Sequence, residues 1–333
     1  MKFNPGRAVG EGGRKIKRES RKTVAWKISE NGGLIAVINA FNTWENVIAN
    51  DYWVKIISGI LEIAAAEEVN VRFFDSKGLA SLADEAWQDY AGLIGAVPRE
   101  KPERMEVWRK LRTRLPCVDV MSRSFEKKEC YVGPNEGSAM ALIFDHLYEE
   151  GHRSFFFASL NHEPFGRERR EVVIAKALER KCNLQVCQYH SFYAGYGALA
   201  PERAAEALLG RHHKERPQAI LFESDFFASR FLRLASKSGI RVPEDLGVAG
   251  INDTPEYPIP VPLTTLRHDG LGIGREAARL LFGLIRGEKI KSPVLVESAL
   301  IIRRSSLRRT LSGDPDAFRA FVKAQVREHC AFP

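Results

Sequence analysis

The sequence predicts an α/β protein of two similar lobes, each a parallel sheet flanked by helices. Three observations carry that expectation. Short apolar runs alternate with amphipathic stretches of about a dozen residues along most of the chain, the pattern of repeated strand–helix–strand units. About ten such runs are too many for one open sheet of this length, so two sheets are the better arrangement. The 333 residues suit two medium-sized domains.

The elements follow in order. Gly32-Gly33 opens the fold, and GLIAVI (33–38) is a buried strand. Residues 53–67 place apolar groups at helical spacing, and VNVRFFD (69–75) is a second strand. Residues 79–90 read as helix, AGLIGAV (91–97) as a strand stopped by Pro98, 102–113 as helix and LPCVDVM (115–121) as strand. A helix from Gly137 to Glu150 ends at Gly151 and leads into SFFFASL (154–160). Helix 167–181, strand LQVCQY (184–189), helix 201–209 and strand AILFES (219–224) come next. Helix 226–237 stops at Gly239, and LGVAGI (246–251) is a strand. Residues 272–286 are helical, 294–303 extended, and 321–329 a further helix.

The net charge of +8 is unevenly placed. Residues 1–27 hold nine Lys or Arg against Glu11 and Glu19, so the body is nearly neutral. This Gly-rich basic arm has too little apolar surface to order itself, and it suits phosphate backbones through counterion release. No apolar run reaches the roughly 20 residues of a membrane span, and no apolar stretch follows the basic N-terminus as in an export leader. A cytoplasmic protein is expected. Cys117, Cys130, Cys182, Cys187 and Cys330 form no CxxC pair, which points to reduced thiols and no metal site. No GxGxxG follows the first strand, and no phosphate loop or Ser/His/Asp set is visible, so neither a catalytic centre nor a cofactor is expected.

In open parallel sheets ligands bind beyond the carboxyl ends of the strands. Polar residues stand there: Asn39 with Phe41 close behind, Glu223-Ser224-Asp225, and Asn252-Asp253. Each could equally cap a helix or form a turn. Their recurrence at several strand ends favours a cleft.

Residues 241–287 carry the most informative motifs: Pro243-Glu244-Asp245, Gly250-Ile251-Asn252-Asp253, Pro262-Leu263-Thr264-Thr265, and Gly274-Arg275-Glu276-Ala277-Ala278-Arg279-Leu280-Leu281. In this order and spacing they resemble the effector-binding part of the LacI/GalR transcription regulators. Weaker matches are Asn50-Asp51-Tyr52-Trp53, Tyr90-Ala91-Gly92-Leu93-Ile94, Asn135-Glu136-Gly137 with Gly151-His152-Arg153, Pro217-Gln218-Ala219-Ile220, and Arg170 seven residues before Ala177-Leu178. The resemblance spans about residues 33–307 and implies a periplasmic-binding-protein-like type I fold with a three-strand hinge. It also implies a small-molecule effector, a sugar or sugar derivative, and a homodimer.

Two departures stand out. The family's helix-turn-helix is not evident in residues 1–31, although Asn4-Pro5-Gly6-Arg7 is similar to the end of the GntR-type winged helix that some relatives carry. DNA binding is therefore expected only through an N-terminal unit not evident here. The ligand-holding Asp of Gly-x-Asp-Asp is Asn252, an amide that donates as well as accepts.

The resemblance implies that Arg170 anchors the ligand from the second lobe. Asn252, Ser224 and Asp225 would serve it from the strand ends and Asn39 from the first lobe. Phe41, Tyr52 and Trp53 would stack on it, although packing roles for these aromatics stay open. Crossings between lobes are expected near 158–160, 267–270 and 292–296. The corresponding division is 1–31 as arm, 32–158 plus 270–292 as first lobe, 159–269 plus 293–307 as second lobe, and 308–333 as extension. Helices 53–67 and 272–286 are the expected dimer faces. The alternative is a stand-alone sugar-binding protein.

Overall fold

A computed structural model describes residues 33–308, except 42, 49, 82–85, 99–100, 122–129, 161–164, 190–200 and 255–258. The basic arm and the helix expected at 321–329 lie outside the described residues.

Two six-stranded sheets form the scaffold. The first contains β1 (Leu34–Asn39), β2 (Asn70–Phe74), β3 (Gly92–Ala96), β4 (Cys117–Val120), β5 (Tyr131–Pro134) and β11 (Val294–Val296), in the order β11-β5-β4-β3-β1-β2 and all parallel. The second contains β6 (Ser154–Leu160), β7 (Asn183–Tyr189), β8 (Ala219–Phe222), β9 (Gly247–Ile251), β10 (Thr264–His268) and β12 (Ser298–Ile301), in the order β12-β10-β9-β8-β6-β7. Its β12 runs antiparallel to β10, and its other pairs are parallel. Central strands such as β3 and β9 are buried throughout, as strands covered by helices on both faces must be.

Helix α1 (Trp44–Ile48) leads into α2 (Asp51–Ala66), capped by Asn50, whose side chain accepts from the Trp53 amide. The short α3 (Gly78–Ser81) and α4 (Pro102–Arg112) follow. The second lobe holds α5 (Glu136–Glu149), α6 (Phe165–Glu179), α7 (Pro201–Leu209) and α8 (Asp225–Lys237). The chain then returns to the first lobe as α9 (Gly270–Ile285), which packs along α2. There the two backbones touch: a Cβ on Gly274 would lie 2.1 Å from the Ile56 carbonyl oxygen, and one on Gly59 would lie 2.2 Å from that of Leu271. Ile56, Ile60, Ile273, Leu281 and Phe282 seal the contact against the sheet.

Several expectations need correction. Strand 154–160 belongs wholly to the second sheet, so the first crossing lies between Pro134 and Glu136 and not near 158–160. Residues 135–153 accordingly count with the second lobe, where α5 packs on β10 and β12. The extended stretch 294–303 divides at Glu297: Val294–Val296 pairs with β5 of the first sheet and Ser298–Ile301 with β10 of the second. The ladder pairing is interrupted there because the chain leaves one sheet for the other. The helix expected at 79–90 is α3 plus a 3-10 turn at Ala86–Asp89. Strands β5 and β10 add to the expected set, and both are short and adjoin prolines that obscure the pattern.

The motif Thr264-Thr265 ties the end of the described chain to the second sheet. The Thr264 hydroxyl donates to the Arg303 carbonyl and lies 2.7 Å from Ser306 Oγ. Ser305 Oγ accepts from the Thr264 amide and donates to the Val248 carbonyl. His146 Nε2 reaches Ser306 Oγ at 2.7 Å, and His152 Nε2 reaches the Ser306 carbonyl at 3.3 Å.

Candidate functional site

The carboxyl ends of β6, β8 and β9, neighbours in the second sheet, bring one set of expected residues to a common edge. Arg170 follows β6 on α6, and its guanidinium donates to Ser159 Oγ at 3.3 Å. Ser224 follows β8 and caps α8, accepting from the Phe226 amide at 3.2 Å. Asp225 is buried beside it and accepts from the Thr265 hydroxyl at 2.8 Å and the Thr254 amide at 3.0 Å. A Cβ on Gly250 would lie 2.1 Å from Asp225 Oδ1, so only glycine leaves this carboxyl its place. Burial raises the Asp225 pKa to about 7, with the Thr265 and Thr254 hydrogen bonds opposing the shift.

Asn252 follows β9 with φ of +109° and Asp253 with φ of +52°, conformations that L residues rarely adopt. Their neighbours hold them there: the Asn252 amide donates to the Leu266 carbonyl, and the Asp253 carboxylate accepts from Arg267 and Arg303, each at 2.7 Å. Among the described residues the Asn252 carboxamide has no hydrogen-bond partner.

The first lobe presents Asn39 at the end of β1, its Oδ1 accepting from the Phe41 amide at 3.1 Å. Asn39 and Trp53 meet at a narrow apolar hollow lined also by Ile56, Phe73 and Val120. Phe41 packs half-buried on the core, whereas Tyr52 and Trp53 are core members. Tyr52 donates to Met121 Sδ at 3.2 Å, and its ring stands 5.9 Å from that of His268. Of the three aromatics expected to stack on a ligand, Trp53 packs inside the first lobe, Tyr52 where the lobes adjoin, and Phe41 half-buried on the same core. Ser224 and Asp225, likewise, direct their polar atoms to the turn and loop that they hold.

Sequence reasoning missed the charged cluster at the lobe junction. Arg169 is buried and makes a two-pronged bond to Glu136, at 2.8 and 2.7 Å. It also lies 3.5 Å from Glu223, which accepts from Ser159 Oγ at 2.7 Å, and 3.3 Å from His268 Nε2. Burial works against the charge on Arg169, but Glu136 and Glu223 outweigh it and raise its pKa. Burial also works against the Glu136 carboxylate, yet Arg169 and His268 lower its pKa on balance. Burial pushes His268 down to about 4, so the ring is neutral at pH 7. Arginine can only donate, so Nε2 accepts and Nδ1 carries the proton, donating to Ser298 Oγ at 2.8 Å. The available signal was the Arg169-Arg170 doublet, in which the family pattern drew attention to the second residue alone.

Among the described residues no group of three or more His, Cys, Asp or Glu could hold a metal ion. No described helix is long and apolar enough to cross a membrane.

Residues 144–306 match the model of the periplasmic binding protein-like domain. The chain is 30% identical over 192 residues to the HTH-type transcriptional regulator reg1 of Streptomyces lividans, covering 52% of this chain and 50% of that protein. It is 31% identical over 166 residues to the HTH-type transcriptional repressor CytR of Escherichia coli K12, covering 49% and 47%. It thus spans about half the length of these curated relatives. The lac repressor dimer bound to operator and the anti-inducer ONPF superposes with a TM-score of 0.67 at 20% identity, covering 84% of this chain and 95% of that one. The fold is the two-lobed periplasmic-binding-protein-like one, and these curated relatives are transcription regulators.

Proposed function

We infer that this chain is the effector-binding part of a ligand-responsive transcription regulator, which senses a sugar or sugar derivative by closing its lobes and so controls DNA binding. One observation carries the reading: polar side chains crowd the strand ends of two sheets joined by three crossings, in a chain whose curated relatives are regulators. Arg170 anchors the ligand with its planar fork of donors, and Asn252 offers both a donor and an acceptor. Asn39 and Phe41 meet the ligand from the first lobe. Ser224 and Asp225 hold the loops that frame it, and Tyr52 and Trp53 brace the wall behind Asn39.

A ligand shifts the lobe equilibrium only by its differential affinity for the closed form. In a homodimer, closure changes the spacing of attached DNA-binding units. Helix α2 keeps Val54 and Leu61 exposed on its outer side, which suits a twofold interface. DNA contact comes from an N-terminal unit, the protein works in the cytoplasm, and it catalyses no reaction. A thermal-shift screen with pentoses, hexoses, their acids and nucleosides tests this. A true ligand at a hundredfold excess over Kd adds about 2.7 kcal/mol. No shift with any of these compounds, or turnover of one of them, refutes the reading.

A further inference from the structure

The charged cluster at the junction draws one residue from each of the three crossings. Glu136 stands directly after the first, between Pro134 and α5. His268 ends β10 directly before the second, and Ser298 starts β12 directly after the third. Arg169, from α6, binds Glu136 through two hydrogen bonds and His268 through one, and His268 in turn binds Ser298. All four residues belong to the second-lobe side of their crossings. The first and third crossings are also stitched to one another, the Asn135 amide donating to the Val296 carbonyl at 2.8 Å and Asn135 Nδ2 to Glu297 Oε1 at 2.7 Å. From the first lobe the Tyr52 ring stands against His268, and a Cβ on Gly270, directly after the second crossing, would lie 2.9 Å from the Tyr52 carbonyl oxygen.

We propose that the Arg169 knot is the pin of the lobe hinge. It fixes the spacing of the three crossings at their second-lobe ends, so rotation is confined to the short segments 134–135, 269–270 and 296–297. The lobes then move as rigid bodies. This inference rests on the lobe-closing reading above and deepens it: Arg169 is a positioning residue that acts through the crossings, while its neighbour Arg170 faces the ligand. Buried, bidentate and fully hydrogen-bonded charge pairs suit such a role because they hold one geometry and tolerate few others.

The test is hydrogen–deuterium exchange on the full chain without any ligand, comparing wild type with Glu136→Gln and Ser298→Ala. The first variant loosens the Arg169 contact and keeps its shape. The second removes only the link to the third crossing, and decides the matter if the first does not fold. Peptides over 131–139, 264–272 and 294–301 should exchange about tenfold faster, while peptides from β3 and β8 keep wild-type protection. Small-angle scattering should show a larger radius of gyration in the same variants. Unchanged exchange at the crossings overturns the proposal, and so does a rise spread evenly over the second lobe, which would mark a plain core role. Failure of the ligand screen leaves this ligand-free result standing, so the two readings fail separately.

Discussion

Lowering the pH from 7 to 5 should remove about 3 kcal/mol of folding stability, a figure that follows from four buried groups. His146, His152 and His268 each have a pKa held near 4 by burial. Unfolded, each returns to about 6.5. The unfolded chain therefore takes up protons first as the pH falls, and stability present above pH 6.5 is lost on the way to 4. For each histidine the two-state linkage gives a loss of about 2 kcal/mol between pH 7 and 5. Asp225 has the opposite sign. Its folded pKa is raised to about 7, so its contribution is full below the unfolded value and disappears as the pH rises through 7. Going from pH 7 to 5 it returns about 2 kcal/mol. Three losses slightly under 2 kcal/mol and one gain slightly over it leave the net figure of about 3 kcal/mol. Urea melts at the two pH values measure it directly. His146→Gln should flatten the dependence by about one proton, and Asp225→Asn should steepen it. Equal or greater stability at pH 5 would refute the assignment of three neutral, buried imidazoles.

Other outcomes follow from the packing and the site. Gly274→Ala should lower stability by about 1–3 kcal/mol by forcing α9 off α2, read as a drop in urea midpoint; an unchanged midpoint would mean the backbones do not touch. Arg169→Met leaves Glu136 and Glu223 buried without their cation and should cost about 3–5 kcal/mol, part of which the double variant Glu136→Gln/Arg169→Met should recover. Asn252→Gly should relax the strained backbone, raising stability by about 1 kcal/mol while weakening binding of whichever compound the thermal screen identifies. Arg170→Ala should raise that compound's Kd at least tenfold, about 1.4 kcal/mol, with the melting temperature of the free protein unchanged.

The alternation of runs such as LIAVI and GLIGA with amphipathic stretches made the two-sheet architecture legible, because strands covered on both faces must be apolar throughout. The motif over 241–287 pointed to the carboxyl end of β9, where Asn252 and Asp253 stand. What stayed hidden was long-range. Nothing local to Val294–Ile301 shows that its halves pair with partners in different sheets. Tyr131–Pro134 carries Gly and Pro in a four-residue strand, and its place is set by β4 and β11 alone. At the candidate site, family spacing pointed to Arg170, whereas Arg169 depends on Glu136, 33 positions away, a pairing that no sequence period encodes. For Tyr52 and Trp53 two roles stood open, stacking on a ligand and packing. Both are members of the first lobe's core, a placement that helical spacing allowed but did not decide.

The threefold passage of the chain between sheets also governs biosynthesis. A ribosome releases β1 to β5 first, yet that sheet lacks its outer strand β11 and its covering helix α9 until almost the whole described length has emerged. The second sheet waits in the same way for β10 and β12. Neither half can mature ahead of the other, and a nascent chain arrested before residue 264 would expose the apolar flank of α2 that α9 normally covers. Chaperone capture of such stalled chains should therefore concentrate on the segment 51–66.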